Sequence, residues 1–280
     1  MSCDFHTHSI YSDGSKTPDE LVLEAKMLNL YAIALTDHNT TGGVDEFLKV
    51  AEKYGVNAIG GVELSTDYLG SELHILGLFL EKHHYSIISE ITDDLVLAKK
   101  KSNITLCKNL QERGFDIDYD EISFGKKQIN RAHIAKALVE KGYVSSTDEA
   151  FNTILSKEYG LYFPPKLKNS LDVIKQLRDC GIVTILAHPL LNISMGELAE
   201  FLPIAKNMGL CGMEAYYTRF SNEQTNNLIK LCNKYSLVAS GGSDYHGDIK
   251  PNVRLSKGFG DLIVPDDVYD NLLNCAKDLK

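Results

Sequence analysis

"YAIALTDHNT", residues 31–40, holds a short apolar run, "AIALT" (32–36), that ends abruptly on Asp37 and His38. A run that short and that continuous suits a strand covered on both faces, as in a parallel sheet. The two polar residues then stand where such a strand leaves the core. The same pairing of buried run and reactive residue recurs along the chain. Upstream, "CDF" (3–5) opens "CDFHTHSIYSDGS" and is followed by His6, His8 and Asp13. Downstream, "AIGGV" (58–62) runs into Glu63, and "HILGLFL" (74–80) opens with His74. "VTILA" (183–187) precedes His188, "CGMEAY" (211–216) contains Glu214, and "LVASGGS" (237–243) precedes Asp244 and His246.

Helical segments with start and stop signals separate most of these runs. Thr17-Pro18-Asp19-Glu20 reads as a capping box with proline at the first helical position. Leu21, Val22, Ala25 and Leu28 then form one apolar face. Ser170 before "LDVIKQLRDC" reads as a cap, with Gly181 as the stop. Ser194-Met195-Gly196-Glu197 and Ser221-Asn222-Glu223-Gln224 read as further capping boxes. Strands alternating with helices predict parallel β/α units. In a β/α barrel the C-terminal strand ends share one face, where active sites are built. Nearly every run carries a His, Asp or Glu at or near an end, usually that one. His74 is the exception, because it starts its run. It reaches the common face only if its strand runs antiparallel or starts late.

Imidazole and carboxylate groups together suit zinc, manganese or iron. In an extended segment His6 and His8 point to one side, so both can hold one ion. Carboxylates can bridge ions, and such a cluster polarises a phosphoryl oxygen and supplies hydroxide near neutral pH. Competing motifs are weak: "GVELS" is no nucleophile elbow, and there is no P-loop.

Composition narrows the partners. At 280 residues, 44% hydrophobic and 24% charged, the chain has ordinary globular composition, enough for one large α/β domain with an insertion. A net charge of −9 argues against a general grip on long nucleic acid, although local cations or metal ions can still attract a small anion. No run of eighteen apolar residues predicts a membrane span, and "MSCDFHTH" has no signal-peptide pattern. The six cysteines (3, 107, 180, 211, 232 and 275) form no CxxC pair. They read as reduced thiols in a cytoplasmic protein.

Residues 81–170 interrupt the barrel pattern for about ninety positions, far beyond an ordinary connection. "SEITDDLVLAKKKSNITLCKNLQERG", "NRAHIAKALVEKG" and "SSTDEAFNTILSKEYG" predict helices, and the stretch reads as a helical insertion and a candidate lid. Asn130 can cap the second helix and place Arg131 and His133 in its first turn. A helix N-terminus attracts anions, and arginine clasps phosphate with two parallel hydrogen bonds. Arg219, after "MEAYYT", is a further phosphate candidate. Glu214 either orients a ligand or simply finishes a strand.

These residues resemble the PHP (polymerase and histidinol phosphatase) phosphoesterases. The resemblance lies in "DFHTHSIYSDGS", "ALTDHNT", "GVELS", "LHILGLFL", "ILAHPLL" and "GGSDYHG", in that order, over most of residues 1–80 and 170–250. It implies an α/β fold, a distorted (β/α)7 barrel of residues 1–80 and 171–280 around the insertion, with two or three divalent ions (Mn, Fe or Zn). Carried over by position, His6, His8, Glu63 and Asp244 hold one ion. Asp13, His38 and His246 hold a second, and Glu63, His74 and His188 a third, with Glu63 bridging. Many family members carry histidine where Asp13 stands. The insert motif "RAHIA" is similar to that of the small-molecule branch, which removes phosphate from nucleoside monophosphates or 3′,5′-bisphosphates. That likeness makes Arg131, His133 and Arg219 the expected substrate contacts. Three activities stay open: phosphate release from a small nucleotide, with short-RNA trimming as a variant of it; histidinol-phosphate hydrolysis; and metal binding without turnover. The sequence leaves the oligomeric state open.

Overall fold

The seven runs become strands, and one of them is reversed. A computed structural model describes residues 2–126, 129–156 and 158–279. Its strands are β1 (Cys3–Asp4), β2 (Ala32–Leu35), β3 (Ala58–Tyr68), β4 (Ser71–Leu78), β5 (Lys168–Asn169), β6 (Val183–Ala187), β7 (Gly212–Tyr217) and β8 (Val238–Gly242). The sheet order is β1-β2-β3-β4-β6-β7-β8, with β5 a short addition beside the end of β3. β1 and β8 then meet: the Phe5 N–H donates to Gly241 O at 3.1 Å and the His8 N–H to Tyr245 O at 2.9 Å. The result is a nearly closed, distorted seven-stranded barrel. Close approach at this joint demands glycine. A Cβ on Gly242 would stand 2.5 Å from His6.

β4 is antiparallel to both neighbours, β3 and β6. Its first residues therefore lie beside the last residues of the other strands, which brings His74 to the common face.

Alternate residues of each strand point in and out. Ala32 and Ala34 pack with Ile185 and Leu76, whereas Ile33 and Leu35 pack under α1 (Pro18–Met27) and α2 (Val44–Tyr54). Burial on both faces explains why the runs are continuously apolar. α7 (Ser170–Asp179), α8 (Met195–Met208), α9 (Asn222–Tyr235) and α10 (Asp267–Asp278) cover the rest of the barrel. The capping boxes at Thr17, Ser194 and Ser221 all form. Two details differ from expectation. Asn169 caps α7, while Ser170 is its first residue and its Oγ lies 2.7 Å from Thr66 Oγ1. Leu28 is half exposed as the C-cap of α1, because the helix ends before a further turn could bury it.

Between β4 and β5 the chain is mostly helical: α3 (Tyr85–Glu112), α4 (Tyr119–Ser123), α5 (Arg131–Glu140) and α6 (Thr147–Asn152). The helix expected over 145–160 is only the short α6, and Lys157 lies outside the described residues. α4 has no apolar period of its own, but Asp118 caps it. Ile88 and Ile91 of α3 pack into the barrel's apolar cluster. Leu106, Cys107 and Leu110 instead join Ile117, Ile134, Leu138 and Leu155 in a separate core. All six cysteines are free. Among the described residues no helix is long and apolar enough to cross a membrane.

Candidate metal centre

Glu63 stands at the middle of the site, and its two oxygens face different partners. Oε1 lies 2.7 Å from His74 Nδ1 and 3.0 Å from His188 Nε2. Oε2 lies 3.0 Å from His38 Nδ1, 3.2 Å from His6 Nε2 and 3.3 Å from His8 Nε2. Asp13 Oδ2 lies 3.2 Å from His246 Nε2 and 3.9 Å from His38 Nε2. Asp244 Oδ1 lies 3.3 Å from His8 Nε2 and 3.7 Å from His6 Nε2. All nine residues that the family resemblance names as ligands are thus brought to one place. Their donor atoms fall into overlapping groups of ion-binding size: His8, Asp13, His38 and His246; His6, His8 and Asp244; His6, Glu63 and His188; His38, Glu63 and His74.

The groups fit a metal on the strength of their own unsatisfied atoms. His6 Nε2, His8 Nε2, His38 Nδ1 and Glu63 Oε2 are buried with no hydrogen-bond partner. Each such atom costs about 1–3 kcal/mol if left so. Four of them converging on one point mark a cation site, because a cation satisfies them together.

Surrounding residues fix the orientation of the ligand set. His6 Nδ1 lies 2.9 Å from Glu214 Oε1, which leaves Nε2 free. Glu214 Oε2 also accepts the His188 N–H at 2.6 Å. His188 has φ 28°, a backbone conformation that costs about 1–3 kcal/mol, and this bond helps to hold it. Glu214 therefore orients two ligand positions as well as belonging to a strand. His246 Nδ1 donates to Asp244 O at 2.8 Å, again freeing Nε2. Asp244 Oδ2 accepts from Lys250 Nζ at 2.7 Å and Tyr217 Oη at 3.0 Å, so Oδ1 is the oxygen that faces the histidines. Asp37 is not in the cluster. It accepts from the Ser9 N–H, Ser9 Oγ and Ser12 Oγ, and so shapes the loop that carries His8 and Asp13.

Charge is arranged accordingly. Burial alone raises a carboxyl pKa, yet His38, His6 and His74 hold Glu63 well below the usual range. Burial, then His246, press His8 down to about 3. Ionised carboxylate and neutral imidazole are the forms that bind metal. Burial disfavours a charged His6 ring, but Glu214 and Glu63 outweigh it and raise its pKa well above normal.

The cluster forms the floor of a cavity of about 1070 Å³, walled by α3–α6 and by the segments after β7 and β8. Arg131 and Arg219 both line it. The Arg131 guanidinium carbon lies 4.1 Å from the Tyr162 ring centroid, and Nη2 lies 3.9 Å from Glu72 Oε2. Arg219 reaches across to Asp148 of α6 at 2.9 Å. His133 does not line the cavity. It is buried under the first turn of α5, where Nδ1 accepts the Asn130 N–H at 3.4 Å. Lys99, Glu72, Tyr217 and Lys250 also line the cavity, and no pattern in the sequence marks them.

Comparison with known proteins gives a consistent result. The profile of the PHP domain matches residues 4–158. A 5′-3′ exoribonuclease of Haemophilus influenzae is 31% identical over 87% of this chain and 89% of its own length. A phosphoribosyl 1,2-cyclic phosphate 1,2-diphosphodiesterase of Eggerthella lenta is 27% identical over 87% of this chain and 94% of its own. A 3′,5′-nucleoside bisphosphate phosphatase of Chromobacterium violaceum is 26% identical over 87% of this chain and 86% of its own. A Bifidobacterium adolescentis protein assigned as a metal-dependent phosphoesterase superposes with a TM-score of 0.84 at 28% identity, covering 98% and 96% of the two chains.

Proposed function

The chain belongs to the PHP domain family of metal-dependent phosphoesterases, and on that premise we propose that it releases phosphate from monoesters of small nucleotides, AMP and 3′,5′-bisphosphates among them. The supporting observation is the union of a ligand cluster on the floor of the cavity with two arginines on its walls. His6, His8, Glu63 and Asp244 would hold one ion, Asp13, His38 and His246 a second, and Glu63, His74 and His188 a third. Two or three ions of manganese, iron or zinc suit this mixture of imidazole and carboxylate. When bound, such ions polarise a phosphoryl oxygen and lower the pKa of water to near neutrality. Arg131 and Arg219 bind the phosphate from the walls. His133 supports the start of α5 and so sets the position of Arg131.

A cavity of about 1070 Å³ is generous for histidinol phosphate and suits a nucleotide. A second reading, 5′-end trimming of short RNA, is favoured by the exoribonuclease that is 31% identical. Phosphate release from AMP, a 3′,5′-bisphosphate and histidinol phosphate, with cleavage of a short RNA followed in parallel, tests the proposal on manganese-loaded protein. Fastest turnover should be on a nucleotide monoester. No phosphate release from any nucleotide would overturn it.

A further inference from the structure

α3 brings Lys99 to the cavity wall, where Nζ donates to Ser65 Oγ at 2.6 Å. Ser65 lies two residues beyond Glu63 on β3, and its Oγ is 3.5 Å from His74 Nε2. Lys99 thus stands one hydroxyl away from the cluster. Three other cations that line the cavity have carboxylate partners: Arg131 has Glu72, Arg219 has Asp148 and Lys250 has Asp244. Lys99 has none at ion-pair distance among the described residues; its one bond is to the serine hydroxyl.

An ammonium has three donors, and one is used. Burial pulls Lys99 below the usual lysine range; Glu72 opposes that more strongly than the Arg131 guanidinium assists it. Lys99 and Arg131 thus share one wall and repel each other, and Glu72, the partner of Arg131, offsets part of that repulsion. An anion between them removes that repulsion and fills the spare donors. A dianion does so better than a monoanion, since each cation then has a full negative charge to face. A phosphate monoester is a dianion above its second pKa near 6, whereas a diester carries one charge at any such pH.

We propose that Lys99, acting with Arg131, is a specificity-determining residue that reads the second negative charge of a terminal phosphate, so that the site selects monoesters over internal diesters. The proposal rests on the phosphoesterase reading of the cavity.

Calorimetric binding of methyl phosphate and dimethyl phosphate at pH 8 to manganese-loaded protein tests it, because these probes differ in charge at nearly equal size. The wild type should bind methyl phosphate at least ~10-fold more tightly, the scale of one charged hydrogen bond. Lys99→Met should lose ~10-fold or more for methyl phosphate and less than ~3-fold for dimethyl phosphate, and Lys99→Arg should recover part of the loss. Metal content and melting temperature identify correctly folded variants. If Lys99→Met does not fold, Lys99→Gln takes its place. Equal binding of both probes by the wild type would overturn the proposal, as would equal weakening of both, or of neither, in the variant. Charge selection without phosphate release from any nucleotide would instead leave the role of Lys99 standing and remove the nucleotide reading.

Discussion

His74 meets Glu63 from a strand that runs the opposite way. Their side chains come within 2.7 Å, although the Cα partner of Glu63 across β3 and β4 is Leu76 and that of His74 is Ser65. The pair is therefore diagonal, two residues apart in register, and both side chains lean towards the same point. With His188 on the other side of β4, Glu63 Oε1 is gripped from two directions.

Glu63→Gln should empty or misload the centre while the barrel remains folded. Glutamine keeps the shape but loses the charge that faces five histidines. The expected fall in kcat is at least ~10²-fold, the scale of one strong electrostatic contact in an active site. Steady-state kinetics with plasma-emission metal analysis checks both effects, and normal turnover in this variant would refute the central role of the glutamate.

Metal should also stabilise the fold. Chelation leaves the four unpartnered atoms of His6, His8, His38 and Glu63 in the interior. Ions bound at about a hundred times Kd add about 2.7 kcal/mol. That corresponds to a melting temperature roughly 5–10 °C higher than that of the chelated protein. Differential scanning fluorimetry with chelator, then with manganese restored, measures it. An unchanged melting curve together with fewer than one ion per chain would contradict a metal centre.

Glu214→Gln should act at one remove. The glutamate fixes the His6 ring through Nδ1 and anchors the strained His188 backbone. Loss of such an orienting carboxylate typically weakens metal binding ~10–100-fold. Competition against a fluorescent chelator reads this directly, and unchanged affinity would make Glu214 a strand residue only.

Arg131→Ala should impair substrate use without displacing metal, because Arg131 touches Glu72 and Tyr162 but none of the nine candidate ligands. A contact equal in ground and transition states raises KM alone, and one that tightens on the developing charge lowers kcat as well. Arg131→Lys should be only partly tolerated, since it loses both the planar fork and the stacking on Tyr162. Wild-type kcat/KM in Arg131→Ala would make this arginine a wall residue of no account.

His133 gives a pH signature. Burial presses its pKa down from 6.5 to about 4, so the folded chain holds a neutral ring that the unfolded chain protonates. A depressed folded pKa contributes stability that is fully present above 6.5 and is lost as pH falls towards 4. The loss amounts to about 3 kcal/mol at most. Urea unfolding of metal-free wild type and His133→Gln at pH 7 and pH 4.5 should show the gap between them shrink on acidification. A constant gap would place the ring in water in the folded state.

Eight of the nine candidate ligands were legible in the sequence because each sits at or near an end of a short apolar run, and strand ends of a barrel share one face; Asp13, eight residues beyond its run, was named only through the family resemblance. His74 looked misplaced because residue order does not give strand direction; only the pairing of β4 with both neighbours does. Glu214 was ambiguous for a related reason. An alternating strand position can face a ligand or the core, and the partner that decides, His6, lies 208 residues away. Lys99 was invisible. It sits in the lysine run of a long amphipathic helix, where solvated charge is the ordinary reading, and only the path of α3 across the barrel brings it to Ser65. His133 stands in the first turn of α5, as its place after Asn130 suggested, and there it is buried within the field of Asp13 and His246.

The length of α3 has one more effect. Its 28 residues make a rod about 42 Å long. β4 carries the chain away from the metal face, and α3 carries it back. The early turns of the rod are seated in the barrel through Ile88 and Ile91, and the late turns found a second core through Leu106 and Leu110. A continuous helix cannot act as a hinge without breaking its own backbone hydrogen bonds, so the base of the roof of α4–α6 is mounted as firmly as the barrel itself. A chimera that exchanges roofs between two such proteins should therefore be spliced within α3, in the polar stretch between Lys100 and Ser102. A junction at either end of the rod would separate buried leucines and isoleucines from the core they complete.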